Sequence, residues 1–256
     1  MFDSITLIGA GRIAHILLGG WQAAGKVLPP VRVFDSSAEA LGRLQAAFAA
    51  VEPVTLAEAS RSELLLLGVH PPVLAELLPE LAPGLRPEAL ICSLAPKWRL
   101  PQLQAALGGF ANLARMNPNA TSLVGKGFNP VAYGAAVSPA QRQALQDLFA
   151  PLGAMPEVAD EQIESYAVIS AMAPTYFWFQ FTALQQLAES FGLETEAASE
   201  AISTMLHGAV DTLFTSGLTP RQVMDLLPVH PLGQAEEPIR ELLESAVRQM
   251  HQKLQG

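Results

Sequence analysis

Gly9-Ala10-Gly11-Arg12-Ile13-Ala14 is the stretch whose reading decides the fold. It follows the apolar run Ile5-Thr6-Leu7-Ile8 and opens a segment, Ile13 to Ala24, with helical spacing. A second apolar run, Val31-Arg32-Val33-Phe34, then ends in the acid Asp35. Glycine-rich turns are common, and an ordinary strand-to-helix turn with a solvated Asp35 is the plain alternative. Strand, tight turn, helix, strand and terminal acid in that order are specific for a dinucleotide site. Gly9 permits the sharp turn, Gly11 leaves room for a pyrophosphate, and Ala14 lets the helix lie close to the strand. The free N–H groups at the helix start, around Arg12 and Ile13, face the phosphates. Asp35 is placed to accept from the ribose hydroxyls and to repel a 2′-phosphate. Ser36 and Ser37 supply no arginine there, so the chemistry leans to NAD over NADP, although Arg12 as a phosphate contact pulls the other way.

Beyond this unit the alternation continues. Ser37 to Ala50 has a helical period, Pro53-Val54-Thr55 reads as a short strand, and Leu64 to Val69 is a continuous apolar run suited to a strand buried on both faces. His70-Pro71-Pro72 stops that strand, and Pro72 to Leu81 reads as helix. Ala89 to Leu94 is the next strand, Pro101 to Leu107 a helix and Asn112 to Met116 another strand. The expectation is an α/β domain with a doubly wound parallel sheet. Ligands bind outside the carboxyl ends of such strands, where Gly9, Asp35, Val69, His70, Ala95 and Asn117 converge. Asn129 to Val137, a helix from Pro139 to Phe149, and Ala154 to Val158 complete the domain. After Asp160 the spacing is helical almost throughout, with Gly192 and Gly217 as helix ends and Thr195 and Thr219 as caps. The expected division is a dinucleotide-binding domain over 1–160 and a helical domain over 161–256.

The chain has 256 residues, half of them hydrophobic and only 15% charged, with a net charge of −9. The acidic balance argues against nucleic acid or an anionic membrane as partner, and the oily composition argues for a subunit interface. The dense apolar set Phe177, Trp178, Phe179, Phe181, Leu184 and Leu187 covers more than one helical face, which predicts a homodimer or higher homo-oligomer built by the C-terminal helices. Cys92 is the single cysteine, and His15, His70, His207, His230 and His251 lack metal-site spacing, so no metal is expected. Met1-Phe2-Asp3-Ser4 has no basic signal region, and no apolar run approaches a membrane span, so a cytoplasmic location is expected.

With the residues from Asn112 onward in hand, the chain resembles pyrroline-5-carboxylate reductase over nearly its whole length. The resemblance rests on the glycine turn, on Val69-His70-Pro71 where the family usually has Val-Lys-Pro, and on Arg115-Met116-Asn117-Pro118-Asn119-Ala120 followed by Leu123-Val124-Gly125-Lys126-Gly127. Ser170-Ala171-Met172-Ala173-Pro174-Thr175-Tyr176 falls where the family has Ser-Gly-Ser-Gly-Pro-Ala-Tyr. The resemblance implies a Rossmann domain, a helical domain that intertwines with a partner subunit, and NAD(P)H-dependent reduction of a cyclic imine carboxylate to an amino acid such as proline.

Departures fall on the substrate half. The second serine of the family motif is Met172, and the family's Ser-Pro-Gly-Gly-Thr-Thr loop, which holds the substrate carboxylate, becomes His230-Pro231-Leu232-Gly233-Gln234-Ala235-Glu236. Losing those hydroxyl donors costs several kcal/mol of binding unless something replaces them. Candidate catalytic residues are Ser170 and Tyr176, to orient or protonate the imine nitrogen, and Lys97, a new cation in Ala95-Pro96-Lys97-Trp98-Arg99. Asn119, Gly233 and Gln234 are the candidates for substrate, and Glu236 is an acid that would repel an anionic one. Two other readings stay open. One is a non-catalytic dinucleotide-binding regulatory or assembly protein with a degenerate substrate site. The other is a hydroxy-acid dehydrogenase on a related two-domain scaffold.

Overall fold

The computed structural model describes residues 2–255. Strands β1 (Ile5–Ile8), β2 (Val31–Phe34), β3 (Val51–Pro53), β4 (Leu64–Leu67), β5 (Leu90–Ser93) and β6 (Leu113–Met116) alternate with helices α1 (Arg12–Ala23), α2 (Ala38–Ala47), α3 (Leu56–Ala59), α4 (Pro71–Leu81) and α5 (Leu100–Ala106). The short β7 (Gly127–Phe128) and β8 (Val131–Tyr133) follow, then α6 (Pro139–Phe149), β9 (Gly153–Ala154) and α7 (Ile163–Tyr166). The main sheet runs β3-β2-β1-β4-β5-β6-β8. Register is set by pairs such as Ile5 opposite Val31 and Leu64, and Leu64 opposite Leu90.

Strand alternation explains the packing. In β4, Leu64 and Leu66 join the layer of Leu17, Trp21 and Phe149, while Leu65 and Leu67 join that of Leu74, Leu78 and Leu103. All of the β4 leucines are inaccessible, so both faces are covered, as a parallel sheet requires. Trp21 sits wholly inside because its indole N–H donates to the Leu148 carbonyl at 2.8 Å. Cys92 lies in the same core, where burial pushes its thiol up and leaves it protonated.

The sheet departs from an all-parallel one at its edge, where β8 runs antiparallel to β6. Residues 117–130, with the short β7, join the two strands, and the chain returns beside the end of β6 with Val131 opposite Met116. Ala154 to Val158 contributes only β9 and a bridge from Glu157 to Val131. β3 lies at Val51–Pro53, upstream of the expected Pro53 to Thr55, because Thr55 is used as the N-cap of α3 in a capping box with Glu58.

The chain divides into two compact units, one of residues up to Met172 with those from Met250 on, the other Ala173–Gln249. The boundary lies later than the composition change at Asp160. Residues 160–172 stay with the sheet because Asp160 and Glu164 pair with Arg115 of β6. His251 belongs there too, its Nε2 3.1 Å from the Ser165 hydroxyl. The second unit holds α8 (Pro174–Ser190), α9 (Thr195–Thr215), α10 (Pro220–Met224) and most of α11 (Glu236–Gln255). Gly192 and Gly217 take positive φ at helix ends, and Thr219 caps α10 with Gln222. Thr195 does not cap α9; Glu194 occupies that position with no side-chain bond to the helix.

Candidate functional site

A cavity of about 600 Å³ opens at the carboxyl ends of β1, β2, β4 and β5. Gly9, Gly11, Arg12, Ile13, Asp35, Ser36, Val69, His70 and Ala95 all line it. Gly9 has φ +110°, and a Cβ there would meet the Gly68 carbonyl oxygen at 2.8 Å, so the turn is closed to other residues. Gly11 is different. Its backbone is extended, and an added Cβ would meet nothing within 4 Å. The space in front of Gly11 is therefore open, and α1 begins there with neither a side-chain cap nor an acid in its first turn. Its unpaired N–H groups and positive helix end, reinforced by Arg12, fit the pyrophosphate of a dinucleotide.

Asp35 is held firmly. One carboxylate oxygen accepts from the Ala10 N–H at 2.7 Å and the other from the Ser37 N–H at 2.8 Å. This fixes the acid at the end of β2 and ties it to the glycine turn, while each oxygen keeps a lone pair for a ribose hydroxyl. Sequence reasoning missed Gly68, Glu76 and Glu80, which also line the cavity. Gly68 had a readable signal, a glycine ending an apolar run. A Cβ there would meet Ile13 Cγ2 at 2.8 Å, so it lets α1 close on β4. The two α4 acids had none, since solvated helix glutamates look the same in sequence.

Asn117, expected with the cofactor residues, does not line the cavity. It is 6% exposed, its N–H donates to the Pro130 carbonyl at 3.1 Å, and its side-chain nitrogen is buried. The Asn119 side chain faces inward. Its oxygen accepts from the Thr121 hydroxyl at 2.9 Å and the Phe128 N–H at 3.3 Å, and its nitrogen donates to the Ser170 carbonyl at 3.3 Å.

Ser170 lies in a π-helical turn, Ala167–Ala171, a geometry often found at functional sites. Its hydroxyl donates to the Tyr166 carbonyl at 2.8 Å. Lys97 is exposed, does not line the cavity and forms no ion pair among the described residues. In the helical unit, Tyr176 stands in the first turn of α8, its ring 6.4 Å from that of Phe177, and burial pushes its phenol up. Gly233 and Gln234 form a short turn before α11, where the Gly233 N–H donates to the His230 carbonyl at 3.0 Å. Glu236 pairs with Arg240 at 2.7 Å, so its charge is offset within its own helix. Among the described residues no three His, Cys, Asp or Glu side chains gather as a metal site, and no helix is long and apolar enough to cross a membrane.

Comparison with known proteins agrees with this geometry. Residues 4–97 match the family model of the NADP oxidoreductases described as coenzyme F420-dependent, and residues 160–254 match that of pyrroline-5-carboxylate reductase dimerisation. The Escherichia coli pyrroline-5-carboxylate reductase is 26% identical over 250 residues, 97% of this chain and 93% of that one. The structure of a Plasmodium falciparum pyrroline carboxylate reductase with NADP bound shares the fold, with a TM-score of 0.84 and 18% identity over 98% of this chain and 97% of that one. The Pseudomonas aeruginosa pyrroline-5-carboxylate reductase is 30% identical over 238 residues, 92% of this chain and 87% of that one. On that identity and coverage, together with the nicotinamide-type crevice and the matched dimerisation segment, the chain belongs to the pyrroline-5-carboxylate reductase family, NAD(P)-dependent oxidoreductases acting on CH–NH bonds.

Proposed function

We propose that the protein is an NADH-preferring reductase of a small cyclic imine, assembled as a homodimer through its helical unit. The observation that carries the cofactor preference is the pinned Asp35 carboxylate. A carboxylate free to rotate away could tolerate a 2′-phosphate; one held by the Ala10 and Ser37 N–H groups cannot retreat. Two unit charges about 4 Å apart at the surface repel by about 4 kcal/mol at an effective dielectric of 20. Glu76 and Glu80 add the same sign along the cavity wall. Asp35→Asn removes the charge and keeps the shape. It should weaken both cofactors somewhat, because one backbone N–H loses its acceptor, yet move the NADPH-to-NADH affinity ratio about tenfold or more toward NADPH. Calorimetric titration of both cofactors decides this, and an unmoved ratio would take Asp35 off the ribose.

The bound nicotinamide supplies the hydride to the C=N carbon. An iminium is already electrophilic, so the chain's task is placement and water exclusion. Tyr176, a phenol protonated at neutral pH, is the donor we assign to the imine nitrogen, and Ser170 is the residue we assign to orient that nitrogen. Lys97, the exposed cation of the 95–99 loop, is the residue we assign to an anionic substrate group. The 230–236 loop supports a substrate other than the pyrroline-5-carboxylate named in the relatives. It has no hydroxyl side chain, Leu232 is exposed, and Gln234 is its one amide donor. A panel of cyclic imines with NADH should give kcat/KM below about 10⁴ M⁻¹s⁻¹ on pyrroline-5-carboxylate and higher values on an imine of different charge or size. Since Arg240 already offsets Glu236, Glu236→Thr should change KM for the carboxylate substrate less than about threefold, the worth of an exposed pair. Efficient proline formation by the wild type would return the chain to the relatives' substrate.

A further inference from the structure

Arg115 occupies a place in the core where a cation is expensive. It lies in β6 between Leu113, Ala114 and Met116, opposite Ser93 of β5 and Ala132 of β8, and its side chain is inaccessible. Burying a guanidinium among apolar strands stabilises less than an apolar residue of similar volume, unless the fixed geometry itself is useful. Its bonds show which geometry that is. Nη1 donates to the Asp160 carbonyl at 3.1 Å and to the Asp160 carboxylate. Nη2 donates to the Glu164 carboxylate at 2.6 Å and to the Pro96 carbonyl. The other Asp160 oxygen accepts from the Leu100 N–H at 3.1 Å.

The segment Lys97-Trp98-Arg99 is thus suspended between Pro96 and Leu100, and both ends are tied to the Arg115–Asp160 pair, of which Arg115 is inaccessible. Pro96 and its neighbour Ala95 line the cofactor cavity. The same guanidinium grips Glu164 in α7, which continues directly into the π-turn bearing Ser170. Asn119, four residues on from Arg115, donates to the Ser170 carbonyl itself. The carboxyl end of β6 therefore holds both the loop and the turn that carry the catalytic candidates.

We infer that Arg115, with Asp160, is a positioning residue: it sets the spacing between the 96–100 loop and the Ser170 turn without touching cofactor or substrate. The inference rests on the reading that these two segments flank the reacting imine. Arg115→Met leaves the Glu164 carboxylate buried without its partner, so loss of folding in that variant is a hazard. Asp160→Asn is the cleaner test. It keeps an oxygen for Arg115 but presents an amide nitrogen to the Leu100 N–H, which releases one end of the loop.

In Asp160→Asn, hydrogen exchange of the unliganded protein should quicken over residues 96–100 and stay unchanged in the 64–67 and 90–93 strands. On the best imine of the panel, kcat should fall about tenfold or more, the scale of a small misplacement, with the dissociation constant for NADH changed less than about twofold. Asp160→Glu, which restores a carboxylate, should recover part of kcat. Unchanged exchange over 96–100, unchanged kcat, or a loss of NADH affinity in proportion to the loss of kcat would each overturn the inference. If the wild type binds NADH but reduces no imine, the proposed function fails, and the exchange measurement still decides whether the clamp exists.

Discussion

Gly11→Val should abolish dinucleotide binding in a protein that remains folded. The Gly11 backbone is at φ −81°, ψ −165°, an extended conformation that valine adopts readily. Its Cβ would enter open space, so nothing in the fold resists it. That space is where the pyrophosphate must approach the first turn of α1. A branched side chain there displaces hydrogen bonds to a charged group worth about 1.5–3 kcal/mol each, and losing two lowers affinity at least about 100-fold. The stability cost is that of a poorer N-cap, about 1 kcal/mol, or about 2–4 °C in Tm for a unit of this size. Gly9→Ala should behave in the opposite way. At φ +110° and 2.8 Å from the Gly68 carbonyl, it strains the turn itself and lowers Tm along with affinity. Calorimetry with NADH and a thermal melt on both variants separate the two glycines. Full NADH affinity in Gly11→Val would remove the dinucleotide from this turn.

The contrast between these glycines also shows what sequence could convey. The glycine turn, α1 and Asp35 are local: residues within thirty positions interact, and each leaves a residue-type signature. The buried β4 was legible for the same reason, since a run of leucines bounded by glycine and proline has few other places to go. What escaped depends on distant partners. The antiparallel β8 follows from pairing with β6, and Val131-Ala132-Tyr133 alone carries no direction. Asp35 was readable as an acid at a strand end, but its bond to the Ala10 N–H, 25 residues away, was not. Arg115 did leave a trace. An arginine inside Leu113-Ala114-Arg115-Met116 breaks an apolar strand, and a buried cation demands carboxylates nearby. Which carboxylates was unreadable, because Asp160 and Glu164 look like the solvated start of a helix until the chain brings them back to β6. Asn119 was legible as a family position, whereas its inward-facing amide was not.

The largest effect on the molecule as a whole should come from the helical unit. No residue of α8, α10 or α11 is buried, and in α9 only Ala198 is. Yet α8 carries Phe177, Trp178, Phe179, Leu184 and Leu187, and Phe179 is 67% exposed. Phe191 and Phe214 are exposed to a still greater degree, at 79% and 77%. Secondary structure survives by burying an apolar face against another layer, and a helix of this length is marginal in water on its own. Each large side chain of this set contributes about 1.5–3 kcal/mol when covered and nothing when left wet. In the homodimer proposed above, a second copy of the chain presenting the same surface would cover them, and such an interface would be an obligate one. Phe179→Asp combined with Leu187→Asp places charges on that surface from one helix. Sedimentation at micromolar concentration should then show a monomer in place of a dimer, and circular dichroism should show the α8–α11 signal melting before the sheet unit. Because the crevice residues Gly9, Gly11 and Asp35 belong to the other unit, NADH binding should persist while turnover disappears. A wild type that sediments as a monomer with its helices intact would mean that the exposed aromatics are covered by some other means, and the homodimer would fall.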